Sequence, residues 1–229
     1  MPSSIQEKLL SISNLTSKLL RKNFGRGPDS CHASVKYQFL IFYIRGFLSP
    51  METILLESGN SKTIEISRNI VMKNILAQLR GVLELELDQD IVSFYHDWNY
   101  MNNTGIIMVE FESEIMDDQR TEPFPQYQSL LEEVDRISIL VEKSPEKMEA
   151  YQISEKYFLV KRFGILVPIE KALILKGFQE ELLITKDELE KSYYHRDGRF
   201  ETIFKQPVAD IFVDWNVHED NSMMCFILK

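Results

Sequence analysis

Residues 46–52 read Gly-Phe-Leu-Ser-Pro-Met-Glu, and residues 164–170 read Gly-Ile-Leu-Val-Pro-Ile-Glu. Four positions are identical between the two stretches, at an offset of 118: Gly46 and Gly164, Leu48 and Leu166, Pro50 and Pro168, Glu52 and Glu170. A second match, at an offset of 117, pairs Asp97-Trp98-Asn99 with Asp214-Trp215-Asn216. Several matches in the same order, with a drift of one residue, predict a tandem duplication of one module of about a hundred residues.

The first half carries signals for helices and strands in a definite order. Apolar residues recur at helical spacing from Ile5 to Leu20, and a longer amphipathic helix is predicted from about Ile64. Between them, Ser49-Pro50-Met51-Glu52 has the composition of a capping box and starts a short helix. Runs of β-branched and aromatic residues predict four strands, the last two joined by a turn-rich segment at 97–104: 30–36, 38–45, 91–95 and 105–112.

The second half repeats this order. Helices are predicted over 127–142 and from Pro168, and Thr185-Lys186-Asp187-Glu188 is a second capping box that starts the long helix. Four further strands are predicted at 149–154, 156–163, 208–214 and 223–228. The sequence thus predicts an α+β protein of two α-β-β-α-β-β repeats, each an antiparallel sheet with helices on one face.

The repeats define the expected domains, which are residues 1–113 and residues 127–229. Between them, residues 114–126 are acidic and contain Pro123 and Pro125, which suits a linker. The strands around Phe39–Ile44 and Ile106–Phe111 have apolar residues on both faces. Because the helices of a repeat can cover only one face, we expect the two halves to pack on each other as a pseudo-dimer.

Composition excludes several classes of protein. The formal net charge of −9 argues against nucleic-acid binding, which depends on clustered Lys and Arg. No uncharged apolar stretch reaches the roughly 20 residues that span a bilayer, so direct membrane insertion is not expected. The two cysteines, Cys31 and Cys225, lie far apart without metal-ligand or disulfide spacing. We therefore expect a cytoplasmic protein without a metal site or cofactor.

The turn Gly25-Arg26-Gly27-Pro28 is the first candidate ligand site. Its backbone amides and guanidinium could bind a small anion, whereas glycine after a helix with proline shortly beyond is also a common helix stop. The helix-cap interpretation is favoured, and anion binding stays open. In the second half, residues 142–145 read Glu-Lys-Ser-Pro, so the glycines are lost and that copy should not bind the same ligand.

His96-Asp97 is the second candidate, since a carboxylate can orient a histidine for acid–base chemistry. Neighbouring strand residues point to opposite faces, however, and Val213 occupies the place of His96 in the second half. The repeated Asp-Trp-Asn suits a structural role, as does the repeated Gly, Pro and Glu of the opening stretch. No residue is predicted to be catalytic, and ligand contact by Gly25, Arg26, Gly27, His96 or Asp97 is a hypothesis.

Taken together, the Gly25–Pro28 turn, the strand pair, Gly46-x-Leu-x-Pro-x-Glu52, the long helix and the late Asp97 resemble the MpsC family, named for a proposed sodium-translocating, membrane-potential-generating system. The resemblance covers about residues 5–112 and extends to about 127–229 through the repeat. It implies a cytosolic protein associated with cation or inorganic-carbon transport, and it implies no catalytic mechanism.

Two hypotheses follow for the function. In the first, the protein is a non-catalytic accessory or regulatory protein that binds a protein partner such as a membrane transporter subunit, and an exposed apolar or aromatic patch is expected. In the second, it is a small-anion or metabolite sensor, with the ligand near Arg26 or between the repeats. An enzyme of unknown class comes third, and the sequence leaves homo-oligomer formation open.

Overall fold

The computed structural model describes residues 4–115 and 123–229, which form two compact units on either side of the intervening segment. Most of the predicted acidic linker lies outside the described residues. The predicted domain limits at 113 and 127 therefore stay predictions, and so does the packing of the halves as a pseudo-dimer.

The first unit has three helices and one four-stranded sheet among its described residues. The sheet is antiparallel throughout, with the strand order β1-β2-β4-β3, so the two hairpins meet along β2 and β4. The elements in chain order are α1 (Ile5–Phe24), β1 (Ser30–Lys36), β2 (Phe39–Arg45), α2 (Pro50–Glu57), α3 (Ser61–Leu87), β3 (Ile91–Asn99) and β4 (Thr104–Phe111).

The second unit repeats this plan. Its antiparallel sheet has the order β5-β6-β8-β7, which is the order of the first sheet shifted by four strands. The elements are α4 (Tyr127–Val141), β5 (Lys147–Gln152), β6 (Tyr157–Phe163), α5 (Pro168–Leu175), α6 (Gln179–Asp197), α7 (Phe200–Phe204), β7 (Val208–Asn216) and β8 (Asn221–Leu228). The predicted α+β class with two similar halves is confirmed, and the equal strand order supports the duplication.

Strand alternation explains where each core lies. On β2, Leu40, Phe42 and Ile44 point to the helix-covered face and pack with buried residues of α3 such as Met72 and Leu79. In the second unit, a corresponding core forms on the helix-covered face of the sheet and includes Phe158 and Val160 of β6. Each core stabilises its unit because it removes apolar side chains from water.

A loop that is repeated in both units fixes the start of the short helix. Gly46 and Gly164 both adopt positive φ, at 67° and 62°, which favours glycine. In the first unit, the side-chain oxygen of Asn103 accepts hydrogen bonds from the amides of Phe47 and Leu48, at 2.8 and 3.0 Å. At the matching place in the second unit, the Asp220 carboxylate accepts from the Leu166 amide at 2.8 Å.

The structure corrects three details of the predicted elements. Thr185–Glu188 does not start the long helix; it lies inside α6, where the Thr185 hydroxyl donates to the Glu181 carbonyl at 2.7 Å. Asp97–Asn99 belongs to β3 and not to the following turn. The short helix α7 was not predicted, because Phe200 and Phe204 are anchored by packing in the second core, which local sequence does not reveal.

Candidate functional site

The Gly25–Pro28 turn ends helix α1. Gly25 has φ 76°, and its amide donates to the Arg21 carbonyl at 3.0 Å, which is the geometry of a left-handed helix cap. Arg26 makes an exposed ion pair with Asp29 at 3.4 Å. The turn thus has the structural role that the sequence favoured, and anion binding there stays a prediction.

A groove of about 500 Å³ lies beside this turn, between α1 and the edge strand β1. Its walls include the polar side chains of Ser13, Asn14 and Ser17, together with Pro28 and Asp29. The Asp29 carboxylate at this groove is the one that pairs with the Arg26 guanidinium.

His96 and Asp97 lie on opposite faces of β3, as strand alternation predicts. His96 pairs in register with Ile107 and Asp97 with Ile106. Asp97 accepts the amide of Trp98 at 2.6 Å, so its carboxylate has a local backbone contact. Burial, with a smaller contribution from Arg68, lowers the pKa of His96 to about 4. The imidazole is therefore neutral at pH 7, and it lies on the opposite face of β3 from Asp97.

The structure instead gathers the repeated residues around a cation that the sequence analysis did not single out. Arg68 of α3 is 1% exposed and lies against Glu52 of α2. Its Nη2 donates to Glu52 Oε2 at 3.0 Å, and its Nε is 2.8 Å from Oε1 in ion-pair contact, without hydrogen-bond alignment. The same carboxylate accepts the Ser49 amide at 2.8 Å, so Glu52 joins the helix cap to the buried cation.

Three aromatic rings surround the Arg68 guanidinium. Its Cζ lies 4.3 Å from the ring centroid of Phe24, 4.1 Å from that of Phe47 and 4.4 Å from that of Trp98. Within residues 4–115 and 123–229, no acceptor bonds to its Nη1. Burial lowers the pKa of Arg68, and the adjacent Glu52 opposes this shift. The charge is thus stabilised by one carboxylate and by π faces.

The second unit places Lys186 where the first has Arg68. Lys186 follows Arg68 by 118 residues, the offset that also separates Glu170 from Glu52. Its ammonium lies 2.8 Å from Glu170 and 5.9 Å from the ring centroid of Trp215, so the repeated Glu and Trp again enclose a buried cation. This shared offset is the sequence signal that could have revealed the pair.

More charged side chains pair directly with Lys186 than with Arg68. Its ammonium contacts Glu142 and lies 3.6 Å from Glu190, which in turn pairs with Arg162 at 2.7 Å. Burial would raise the pKa of Glu190, but Arg162 and Lys186 hold it below the ordinary value. We call Glu142, Arg162, Glu170, Lys186 and Glu190 the buried ion cluster.

Neutral side chains complete the hydrogen bonding of this cluster. Arg162 donates to the hydroxyls of Tyr194 and Ser222 at 3.0 and 2.8 Å, and the Trp215 indole donates to Glu190 at 3.0 Å. Burial raises the pKa of Tyr194 to about 12, so this phenol is neutral. In both units the repeated Glu and Trp therefore stabilise a buried charge at the junction of the short and long helices.

Comparison with known families accounts for the first unit. Residues 5–113 match the model of the family described as Na+-translocating membrane potential-generating system (MpsC). These residues form an MpsC domain. The match ends two residues after β4, so it covers all the elements of the first repeat, and the equal strand order of the second unit suggests a tandem duplication. No curated protein and no solved structure matches the chain.

Two features are absent from the described residues. Over residues 4–115 and 123–229, no helix has the length and hydropathy needed to cross a membrane. In the same ranges, no three His, Cys, Asp or Glu side chains come together in a group that could hold a metal ion.

Proposed function

We propose that the protein is a non-catalytic accessory protein that binds a component of a membrane transport system through the exposed apolar faces of α2 and α5. The name of the MpsC family supports the class of partner, because it refers to a sodium-translocating system. The observation that carries the proposal is that each of these two short helices buries a glutamate and exposes apolar side chains to solvent.

Helix α2 presents apolar side chains outward and a charge inward. Met51 and Ile54 are 67% and 63% exposed, and their i,i+3 spacing puts them on one side of the helix. Glu52, between them in sequence, is buried against Arg68. The ion pair therefore fixes the orientation in which the apolar side meets solvent.

Helix α5 has the same arrangement. Ile169, the counterpart of Met51, is 66% exposed, and Leu175 at the end of the helix is exposed too. Glu170 is buried against Lys186. Exposed apolar surface that recurs at equivalent places in two diverged repeats fits a binding function, because clustered exposed apolar residues commonly mark interaction sites.

Co-purification with variants of these faces tests the proposal. The tagged protein is incubated with detergent-solubilised membranes of its own host, and the bound proteins are identified by mass spectrometry. Recovery of a cation or inorganic-carbon transport subunit is expected with the unmodified protein. Recovery should fall about tenfold or more with Met51→Glu/Ile54→Glu, since charged side chains would have to be buried in the complex.

Leu85→Glu is the matched control. Leu85 is also an exposed apolar residue on a helix, but it lies 17 residues beyond Arg68 on α3, about 25 Å along the helix axis. Recovery should be unchanged by this substitution. Equal loss with Leu85→Glu, or unchanged recovery with the double variant, would contradict binding through α2.

The groove beside the Gly25–Pro28 turn keeps a small-ligand sensor as the second candidate. Asn14 and Ser17 in its walls offer polar groups to a metabolite. A metabolite screen by thermal shift separates the two functions, since a ligand that binds only the folded protein raises its melting temperature.

A further inference from the structure

The buried ion cluster of the second repeat has an unbalanced charge. It combines three carboxylates, from Glu142, Glu170 and Glu190, with two cations, Arg162 and Lys186. All five side chains are nearly buried, with at most 12% exposed. If every group were ionised, the cluster would carry one net negative charge in a poorly hydrated interior, which is costly.

Among the three carboxylates, Glu142 and Glu190 influence each other's protonation. Glu142 contacts the Lys186 ammonium and Glu190 Oε1 lies 3.6 Å from the same ammonium, and after burial Glu190 is the largest cause that raises the pKa of Glu142. A shared proton would neutralise the excess charge, as in other pairs of adjacent carboxylates. The first repeat has no such pair, because Gly25 and Met72 stand at the places of Glu142 and Glu190.

Glu142 is the member that can leave the cluster. Its side chain is 12% exposed, against 2% for Glu190 and 8% for Glu170. It follows the last residue of α4 and opens the loop to β5, whereas the other members lie within helices or strands. In that loop, the Ser144 hydroxyl donates to Asp135 and Lys143 pairs with Glu146, and both contacts are at the surface.

We propose that this cluster is a proton-operated latch, in which one proton shared by Glu142 and Glu190 holds the end of α4 against α6. Loss of the proton leaves two facing carboxylates, and Glu142 moves into solvent with the loop that follows it. The groups that face Glu142 are Lys186, Glu190 and Tyr194 of α6, Glu170 of α5 and Arg162 of β6. Arg162 and Lys186 attract the Glu142 carboxylate at any pH. The shared proton therefore decides whether Glu142 stays in the cluster.

The direction in which stability changes with pH follows from the pKa of Glu142 in the folded protein. Burial first, and then Glu190, raise the pKa of Glu142 to about 8, while Lys186 opposes the shift. The folded protein therefore holds a proton that the unfolded chain releases near the ordinary value of 4.5. The contribution of this proton to stability is complete below about pH 4.5 and is lost as the pH rises through about 8.

Hydrogen exchange of the intact protein between pH 6 and 9 tests the latch. After correction for the intrinsic rate, the Glu142 and Glu146 amides, which donate to the Ser138 and Phe163 carbonyls, should lose protection about tenfold or more as the pH rises from 7 to 9. Glu142→Gln, which imitates the protonated side chain, should keep these amides protected over the whole range. Glu146→Gln is the matched control in the same loop and should behave as the unmodified protein.

A second substitution at the same position keeps the latch testable if Glu142→Gln disturbs the packing of the cluster. Glu142→Gly introduces the residue of the first repeat and removes the excess carboxylate, so the melting temperature should no longer fall between pH 6 and 9. Identical pH profiles for the unmodified protein and both Glu142 variants would overturn the latch. This result would leave the proposed binding through α2 unaffected, because that test uses a different repeat.

Discussion

At the scale of single residues, the two repeats show alternative ways to bury one cation. Arg68 pairs directly with one carboxylate and lies against three aromatic rings, whereas Lys186 pairs directly with three carboxylates and lies near one ring. A planar guanidinium can stack on rings over its whole face, but an ammonium is compact and strongly hydrated. The smaller Val141 and Ile165 stand where the first repeat has Phe24 and Phe47. The added carboxylates thus compensate for the missing aromatic surface.

The Arg68–Glu52 pair gives a prediction at this scale. Glu52→Gln keeps an acceptor for the Ser49 amide but removes the charge beside a fully buried guanidinium. The free energy of unfolding should fall by about 3 kcal/mol or more, because an unpaired charge would stay buried. Urea denaturation measures the change. Asp29→Asn, which removes the charge from the exposed pair with Arg26, should cost less than about 1 kcal/mol, and equal losses would contradict the assigned role of Glu52.

At the scale of elements, local signals predicted some boundaries well and others wrongly. Ser49 caps α2 as predicted, because its hydroxyl accepts the Glu52 amide and the reciprocal bond also forms. Thr185–Glu188 has the same composition, yet α6 continues from Gln179 to Asp197. The difference is that Lys186 and Glu190 are buried by residues distant in sequence, and such packing overrides a weak local preference.

The loop before α2 gives a prediction for an element junction. Asn103 has φ 52° and accepts the Phe47 and Leu48 amides, so it sets the direction in which α2 begins. Asn103→Ala should lower the free energy of unfolding by about 3 kcal/mol, through two lost hydrogen bonds and a strained backbone.

Two further variants separate these causes. Asn103→Gly relieves the strain but not the lost bonds, so it should cost about 1 kcal/mol less than Asn103→Ala. Met101→Ala, at an exposed position of the same turn, should change stability by less than about 0.5 kcal/mol. Chemical denaturation checks all three values, and a harmless Asn103→Ala would show that other contacts hold the loop.

At the scale of the whole molecule, the repeat pattern predicted more than any single motif. The matched offsets of Glu52 with Glu170 and Trp98 with Trp215 indicated two similar α+β units, and the two sheets have the same strand order. The site was harder to predict. Arg68 and Lys186 are ordinary charged residues of the long helices α3 and α6, and only the fold shows that their side chains point inward to Glu52, Trp98, Glu170 and Trp215. The buried ion cluster joins residues from four elements or loops, so no local pattern could reveal it.

The last prediction is that the two repeats pack on each other as a pseudo-dimer. It follows from the alternation of side chains along the strands. On β2, positions 40, 42 and 44 face the helices, so Phe39, Ile41 and Tyr43 lie on the opposite face of the sheet. On β8, Met223, Cys225 and Ile227 likewise alternate with core residues. Apolar faces of this size are rarely left bare in water, so the two repeats should remain together after the chain is cut between them.

A protease site inserted within residues 116–122 allows that cut and leaves the sequences of residues 4–115 and 123–229 intact. After complete cleavage, the two fragments should co-elute from size exclusion at the volume of the uncut protein. Ile41→Glu in the same cleavable protein is expected to separate or aggregate the fragments, because a charge on that face would have to be buried. Asp29→Asn serves as the control that leaves the face unchanged. Two well-behaved fragments that elute separately without any substitution would show that each repeat covers its own sheet.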